Sequence, residues 1–180
     1  VSRFLPEEDV TILRGMYHEA PFAVWGAGPG RGNVRTFNQM QFGDYILFVQ
    51  KGRIVLIGEI AWKISNPELA KYFWRTNVTG ETWENVYFII NEREINIPAT
   101  QLWQYLEYEP DFRLQGLMPV DENRVQHIER KYGGFHDVLV RLDHARLCCD
   151  CLLLRKSGLL RLKTVGIHFC WMTALSLMYL

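Results

Sequence analysis

The sequence predicts an α+β fold, namely a small mixed β-barrel with short helices packed around it. Runs of β-branched and aromatic residues alternate with short helical segments along the chain. No β-α-β repeat is present, which argues against a doubly wound parallel sheet. The length of 180 residues, with 48% hydrophobic and 22% charged residues, is typical of one globular domain with a tail or a second short unit.

The first third of the chain predicts a helix, a short strand and a hairpin. Residues 7–18 place apolar side chains near helical spacing, which predicts a short amphipathic helix. Residues 22–25 indicate a strand, and the glycine-rich stretch 26–32 that follows predicts a flexible loop without regular structure. Two β-rich runs, 45–49 and 53–61, are separated by Gln-Lys-Gly and therefore predict a β-hairpin.

The middle of the chain predicts one helix and two strands. Asn66 is a suitable N-cap and Pro67 suits the first helical position, so we predict a helix that runs to about Trp74. Residues 86–90 form an apolar run that predicts a buried strand. Residues 94–97 alternate and stop at a proline, which is typical of an edge strand.

Two more helices are predicted before the composition changes. Residues 100–105 predict a short helix, and residues 114–117 predict a last strand or a loop. Asp121 caps a predicted helix that continues to Tyr132, where two glycines end it. We therefore place a main domain at residues 1–140.

Residues 141–180 are predicted to be a tail of uncertain structure. Its end, residues 165–180, is apolar but only sixteen residues long, which is shorter than the roughly 18 to 20 residues that span a bilayer. We expect a packed helix there, or a truncated or read-through end, and no membrane association. The chain starts at Val1 without a secretory leader, which suggests a piece of a longer cytoplasmic protein.

The cysteines do not predict a disulfide framework or a metal site. All four lie in the last fifth of the chain, at positions 148, 149, 151 and 170. Structural zinc sites need separated cysteine or histidine pairs, and this cluster with His168 does not have that spacing. We expect neither a metal nor a cofactor.

No catalytic constellation is present, so we predict that the chain is not an enzyme. The motifs of serine hydrolases, zinc proteases and P-loop proteins are absent. The stretch Gly28–Gly32 lacks the Gly-Lys-Ser/Thr ending of a phosphate loop, although its backbone amides are suited to touching a phosphate. Glu81 and Glu84 flank Trp83, but nothing in the sequence predicts the burial that tunes an acid/base pair.

Charge is unevenly distributed along a chain whose net charge is zero. Residues 31–75 contain seven basic and three acidic residues, whereas residues 81–137 contain eleven acidic and five basic residues. A polyanion would therefore meet one face only, with weak non-specific affinity. Ordinary scattered surface charge is an equally good interpretation.

Tryptophan is the unusual feature of this sequence. The first 103 residues contain five, at positions 25, 62, 74, 83 and 103. Any one of them could simply fill the core, because aromatic side chains dominate core energetics. Trp25, Trp74 and Trp83, however, fall at the ends of predicted elements, where sites are usually built. Flat aromatic walls are what an unstacked base needs.

Several short pieces of the sequence carry a resemblance to a known family. They are residues 24–26, 40–44, 46–48, 58–59, 66–70, 73–74, 80–84 and 86–88. In order and spacing they resemble the EVE/YTH-like domains of the PUA superfamily, and more narrowly those at the N-terminus of McrB-type modification-dependent restriction proteins. The resemblance covers roughly Phe22 to Gly134.

The resemblance implies an aromatic cage for a flipped base. Trp25 and Trp74 occupy the places of two cage tryptophans in YTH domains. Trp83 is a weaker candidate for the third wall, which varies in the family, with Trp62 and Phe37 as substitutes. The glycine-rich stretch after the first cage position is unlike the YTH sequence.

Backbone and cationic contacts complete the predicted base-binding site. The resemblance implies that the backbone of Gly26 hydrogen-bonds the base. Arg31, Arg35, Lys63 and Arg75 are the candidate phosphate contacts, which would position the nucleic acid without specifying its sequence.

The implied function is binding of DNA that carries N6-methyladenine or a modified cytosine, as the targeting module of a restriction system. Nuclease and GTPase modules would be fused or supplied by partners. Two other functions stay open. One is a YTH-like reader of methylated RNA. The other is a protein-interaction module whose tryptophans are all core residues and whose Trp25 or Trp74 variants would unfold.

Overall fold

The structure is a computed structural model that describes residues 2–17, 23–147, 167–171 and 178–179. Its α-helices are α1 (Glu7–Tyr17), α2 (Arg31–Gln39), α3 (Pro67–Trp74), α4 (Ala99–Leu106), α5 (Glu122–Tyr132) and α6 (Phe135–Leu147). Its strands are β1 (Ala23–Ala27), β2 (Tyr45–Gln50), β3 (Arg53–Ser65), β4 (Asn85–Pro98), β5 (Leu117–Pro119), β6 (Ile167–Trp171) and β7 (Met178–Tyr179).

The described strands form one seven-stranded sheet in the order β5-β6-β2-β3-β4-β1-β7. Strands β2 and β6 are parallel, and the other neighbouring pairs are antiparallel. Helices are interspersed with the strands, so the predicted α+β class is confirmed. No pairing among the described strands joins the edge strands β5 and β7, so the sheet is open in this part of the chain and the predicted barrel is not shown.

The predicted hairpin is confirmed as β2 and β3, and its turn explains the tight connection. Lys51 and Gly52 both have positive φ, at 49° and 73°. Positive φ at both central residues is the type I′ arrangement, whose twist matches that of the flanking strands. The long β3–β4 ladder then changes register three times, and such bulges bend a sheet.

Helix α3 begins and ends as the sequence predicts. The Asn66 side-chain oxygen accepts a hydrogen bond from the Leu69 amide at 2.9 Å, and Pro67 is the first helical residue. Strand β4 differs from the prediction, because the two strands expected at 86–90 and 94–97 are one continuous strand. Pairing with β3 therefore keeps the strand continuous across residues 91–93, where the sequence indicated a break.

Helix α2 was not predicted from the sequence. The glycine-rich stretch 26–32 was expected to be irregular throughout, but β1 extends through Ala27 and α2 starts at Arg31. The helix buries little, chiefly Thr36 and Phe37, against the sheet. Its few apolar positions made its periodicity hard to recognise.

The prediction of a packed helix near the C-terminus is wrong for the described residues. Residues 167–171 and 178–179 are strands β6 and β7, and β6 lies inside the sheet between β5 and β2. The Ile-His-Phe-Cys-Trp sequence of β6 has the β-branched and aromatic character of a strand. Helix α6 also runs through the predicted domain boundary after residue 140, which stays a prediction.

Three clusters of buried side chains hold these elements together. One lies among the sheet, α4, α5 and α6. A second joins β1, β2, β3 and α2, and includes Trp25 and Phe37. The third lies under α1 and α3, and Trp62 and Trp74 pack against it. The second and third clusters meet at β1, whose two faces they cover.

Candidate functional site

A cavity of about 300 Å³ opens where β1 and α3 both end. Its size is at the lower end of the range for small-molecule sites, which suits a single heterocycle. The loop after β1 forms one side, and the segment between α3 and β4 forms the other. The lining residues, which we call the tryptophan pocket, are Gly28, Pro29, Trp74, Arg75, Thr76, Asn77, Glu81, Thr82 and Trp83.

Gly26 allows the two aromatic walls of the tryptophan pocket to approach β1. A Cβ atom at this position would lie 2.6 Å from the Trp83 carbonyl oxygen and 2.7 Å from the Trp74 ring. Real Cβ atoms do not come this close to other heavy atoms. The glycine predicted to offer its backbone to a base is thus also the residue that leaves space for both walls.

Trp25 supports the pocket from behind. Its ring stacks on Trp83 with centroids 5.9 Å apart and planes 21° apart, and it meets Phe48 edge-on at 5.3 Å. Trp25 is only 4% exposed. A base between two rings needs a separation of roughly 7 Å, twice the carbon contact distance. In this arrangement, therefore, Trp25 backs Trp83 and does not itself face the cavity.

Trp74 and Trp83 form the open aromatic surface of the tryptophan pocket. Their ring centroids are 5.7 Å apart and their planes are inclined at 59°, so they form an angled recess. Trp74 is half-buried and Trp83 is 37% exposed. The Trp74 Nε1 atom is buried without a hydrogen-bond partner among the described residues. A conformational change that brought an acceptor to this N–H group would therefore be stabilised by the new hydrogen bond.

The residue after Trp74 has an unusual backbone conformation. Arg75 has φ 62° and ψ −156°, a region that is close to glycine-only. Its amide donates to the Lys71 carbonyl at 2.9 Å, and its own carbonyl accepts from the Thr82 hydroxyl at 2.9 Å. These bonds hold the chain where Trp74 ends the helix. Strain of this kind is characteristic of functional sites.

Two asparagine side chains fix the loops on either side of the pocket. Asn85 is 2% exposed, and its amide nitrogen donates to the carbonyls of Ala27 and Gly28 at 3.2 and 3.0 Å. The Asn77 side-chain oxygen accepts from the amides of Thr79 and Glu81, both at 2.9 Å. The pocket is therefore largely pre-formed.

The sequence did not indicate Pro29, Thr76, Asn77, Thr82 or Asn85 as site residues. Asn85 had a recognisable signal, because it is an amide at the start of a buried apolar strand. Asn77 had the weaker signal of an asparagine just before a Thr-Gly turn. Neither signal names a ligand.

The structure does not bring the substitute cage residues to the pocket. Trp62 is half-buried and meets Phe88 edge-on at 5.5 Å. Phe37 is buried on α2, in the cluster that contains Trp25. The described lining of the pocket includes neither.

The four cationic candidates differ in their availability. Arg31 and Arg35 are exposed on α2, and Arg75 is exposed and lines the pocket. None of the three forms an ion pair with another described residue. Lys63 is engaged elsewhere, because its ammonium donates to the carbonyls of Phe37 and Asn38 at the end of α2. Burial lowers the Lys63 pKa, an effect that the Asp44 carboxylate opposes.

A buried pair connects β6 to the turn before β2. The His168 Nε2 atom lies 2.8 Å from an Asp44 carboxylate oxygen, and the same oxygen accepts from the Gln41 amide at 2.8 Å. The described residues contain no group of three or more side chains that could hold a metal ion. Cys148, Cys149 and Cys151 lie outside the described residues.

Within the part of the chain that the structure describes, no helix has the length and apolar character needed to cross a membrane. Comparison with known proteins gives no match, either to a family model, to a curated protein or to a solved structure.

Proposed function

We propose that this chain is a non-catalytic reader of modified DNA, which binds a flipped N6-methyladenine or modified cytosine in the tryptophan pocket. It acts as the targeting module of a modification-dependent restriction system, whose nuclease and GTPase are fused to it or act in trans. In this proposal the open sheet is a variant of the PUA-type barrel of EVE/YTH-like domains.

The observation that carries the proposal is the angled recess of Trp74 and Trp83. Both rings are partly exposed at a pre-formed cavity, while Trp74 also packs against the third core cluster and Trp83 stacks on Trp25. Stacking on an aromatic ring contributes about 1 to 3 kcal/mol per base. The fixed loops mean that little ordering is needed when the base enters.

Polar groups around the recess are suited to reading the edge of a base. Glu81 lines the pocket, and one of its carboxylate oxygens lies 3.2 Å from the Thr79 hydroxyl. A carboxylate at this place is also an acceptor for the exocyclic amine of cytosine or adenine. N6-methyladenine keeps one such N–H, so both candidate bases present a donor to Glu81.

Cations around the pocket supply the phosphate contacts. Arg75 lines the pocket itself, and Arg31 begins the helix that follows the Gly28–Gly30 loop. Phosphate contacts position a nucleic acid and make its affinity depend on salt. Lys63 is the weakest of the predicted contacts, because its ammonium already bonds two backbone carbonyls.

The test is fluorescence-anisotropy binding to three matched duplexes, which are unmodified or carry N6-methyladenine or 5-methylcytosine. Each is measured with the wild-type chain, Trp74→Ala and Trp62→Ala. Trp62→Ala is the matched control, because Trp62 is also half-buried but does not line the pocket. Measurements at two salt concentrations give the number of phosphates contacted.

We expect a preference for one modified duplex that is lost in Trp74→Ala and kept in Trp62→Ala, with both variants folded by circular dichroism. Equal or absent binding of all three duplexes by the wild-type chain would refute the proposal for DNA. The same series on methylated single-stranded RNA would then test the RNA reader. Unfolding of Trp74→Ala would favour an interaction module with core tryptophans.

A further inference from the structure

The segment between α3 and β4 carries an apolar side chain that packing does not explain. Val78 is fully exposed among the described residues. It lies between Arg75 and Glu81, both of which line the tryptophan pocket. Isolated exposed valines are ordinary on protein surfaces. Val78 is unusual in where it lies and in how firmly its backbone is held.

Val78 occupies a corner of a hydrogen-bonded turn. The Gly80 amide donates to the Asn77 carbonyl at 3.1 Å, which closes a four-residue β-turn with Val78 and Thr79 at its corners. The Asn77 amide also donates to the Glu81 carbonyl at 2.8 Å, and Gly80 has φ 82°. Turn corners favour glycine, proline and small polar residues. A β-branched apolar residue here gains nothing from the turn itself.

We propose that Val78 is a wedge that enters the base stack of a duplex when the neighbouring pocket takes a flipped base. This inference rests on the proposed function and makes it more specific, since it assigns double-stranded DNA as the substrate. A flipped base leaves a gap in the stack, and proteins commonly insert apolar side chains between base steps. Single-stranded nucleic acid has no such gap to fill.

The held turn makes the wedge effective. A side chain on a flexible loop would lose conformational entropy on insertion, whereas this loop is already ordered by Asn77. Because Asn77 also lines the pocket, one residue couples the position of the wedge to the position of the base. The turn that carries Val78 is therefore joined directly to the lining of the pocket.

The test compares Val78→Thr with the wild-type chain on duplexes and on single strands of the same sequence, each carrying N6-methyladenine or 5-methylcytosine. Val78→Thr keeps the shape of the side chain and replaces a methyl with a hydroxyl, and full exposure means that folding is unaffected. Val140→Thr is the control, because it makes the same change at a valine that is 37% exposed and does not line the pocket. Val78→Leu keeps an apolar wedge.

We expect Val78→Thr to weaken duplex binding by roughly tenfold to a hundredfold, because the new hydroxyl group loses its hydrogen bonds to water when it enters the base stack. Single-strand binding stays unchanged, and Val78→Leu and Val140→Thr bind the duplex like the wild type. A mismatch opposite the modified base should reduce the defect, because flipping then costs less.

Two results would overturn the wedge and leave the proposed base reader intact. Val78→Thr could bind the duplex like the wild type, or it could lose affinity equally for the duplex and the single strand. In each case Trp74→Ala would still abolish the preference for the modified base. Wild-type preference for the single strand also overturns it. If the wild-type chain shows no preference for a modified base in any strand form, both proposals fail.

Discussion

Gly26→Ala should disrupt the tryptophan pocket more than any other single-methyl change around it. The new Cβ would lie 2.6 Å from the Trp83 carbonyl oxygen, 2.7 Å from the Trp74 ring and 2.8 Å from the Trp83 Cβ. Two of these atoms belong to the Trp83 backbone or lie directly on it, so rotation of a side chain cannot relieve the contact. Strand β1 or the segment that carries Trp83 must shift.

The magnitude follows from the cost of overpacking. Inserting a methyl group into a filled site typically costs about 1 to 3 kcal/mol. For a chain of this size, each kcal/mol lowers Tm by roughly 2 to 4 °C, so we expect Gly26→Ala to melt about 2 to 12 °C below the wild type. The stacked Trp25–Trp83 pair should also change its near-ultraviolet circular dichroism, because the Trp83 backbone moves.

Gly28→Ala is the matched control for this prediction. A Cβ at Gly28 would meet its nearest neighbour, the Trp83 ring, at 3.8 Å, which is ordinary van der Waals contact. We expect this variant to keep the wild-type Tm and circular dichroism. If Gly26→Ala melts within 1 °C of the wild type and of Gly28→Ala, and its near-ultraviolet spectrum is unchanged, then Trp74 and Trp83 do not pack closely on β1.

Three further changes test other parts of the site. Arg75→Gly should raise the free energy of unfolding by roughly 1 kcal/mol, because it relieves the backbone strain, and it should weaken DNA binding. Arg75→Ala should weaken binding without the gain in stability, so equal denaturation midpoints for the two variants would contradict the strain argument. Trp25→Ala should lose about 3 to 5 kcal/mol in chemical denaturation, because Trp25 is a core residue, and a loss below about 1 kcal/mol would contradict its packing. Asp44→Ala should lower the free energy of unfolding by about 1 to 3 kcal/mol and reduce the hydrogen-exchange protection of β6, because His168 is left buried without its Asp44 partner. Unchanged protection would show that the Asp44–His168 pair does not hold β6 in the sheet.

The elements that could be predicted from the sequence are those with strong local signals. The Lys51-Gly52 turn and the Asn66-Pro67 helix start are specified by residues a few positions apart, and both are confirmed. Helix α2 and strand β6 depend on tertiary contacts instead. Strand β6 pairs in parallel with β2, more than a hundred residues away in sequence. No local pattern encodes such a pairing.

The candidate site was predictable as a set of residue types, but not as a geometry. The positions of Trp74 and Trp83 at element ends were visible in the sequence, and both line the pocket. The sequence could not reveal that Trp25 lies behind Trp83, since this arrangement depends on how β1 and the segment before β4 cross at Gly26. Nor could the sequence show that Lys63 is less available for a phosphate contact than the arginines, because its ammonium is held by the end of α2.

Under the proposed function, the angled geometry of the recess also limits how the modification is read. With the Trp74 and Trp83 planes 59° apart, a base can stack fully on one ring only and meets the other with its edge. Burying one added methyl group is worth about 0.8 kcal/mol, which corresponds to roughly a fourfold preference for the methylated base. A measured preference near this value would mean that aromatic contact alone distinguishes the modification. A preference above tenfold would require a second source, namely a lower cost of flipping the modified base, because the exocyclic amine that Glu81 would bond is present with and without the methyl group. Glu81→Ala removes the side-chain acceptor and should therefore weaken binding of the modified and unmodified duplexes alike, which leaves the preference itself unchanged.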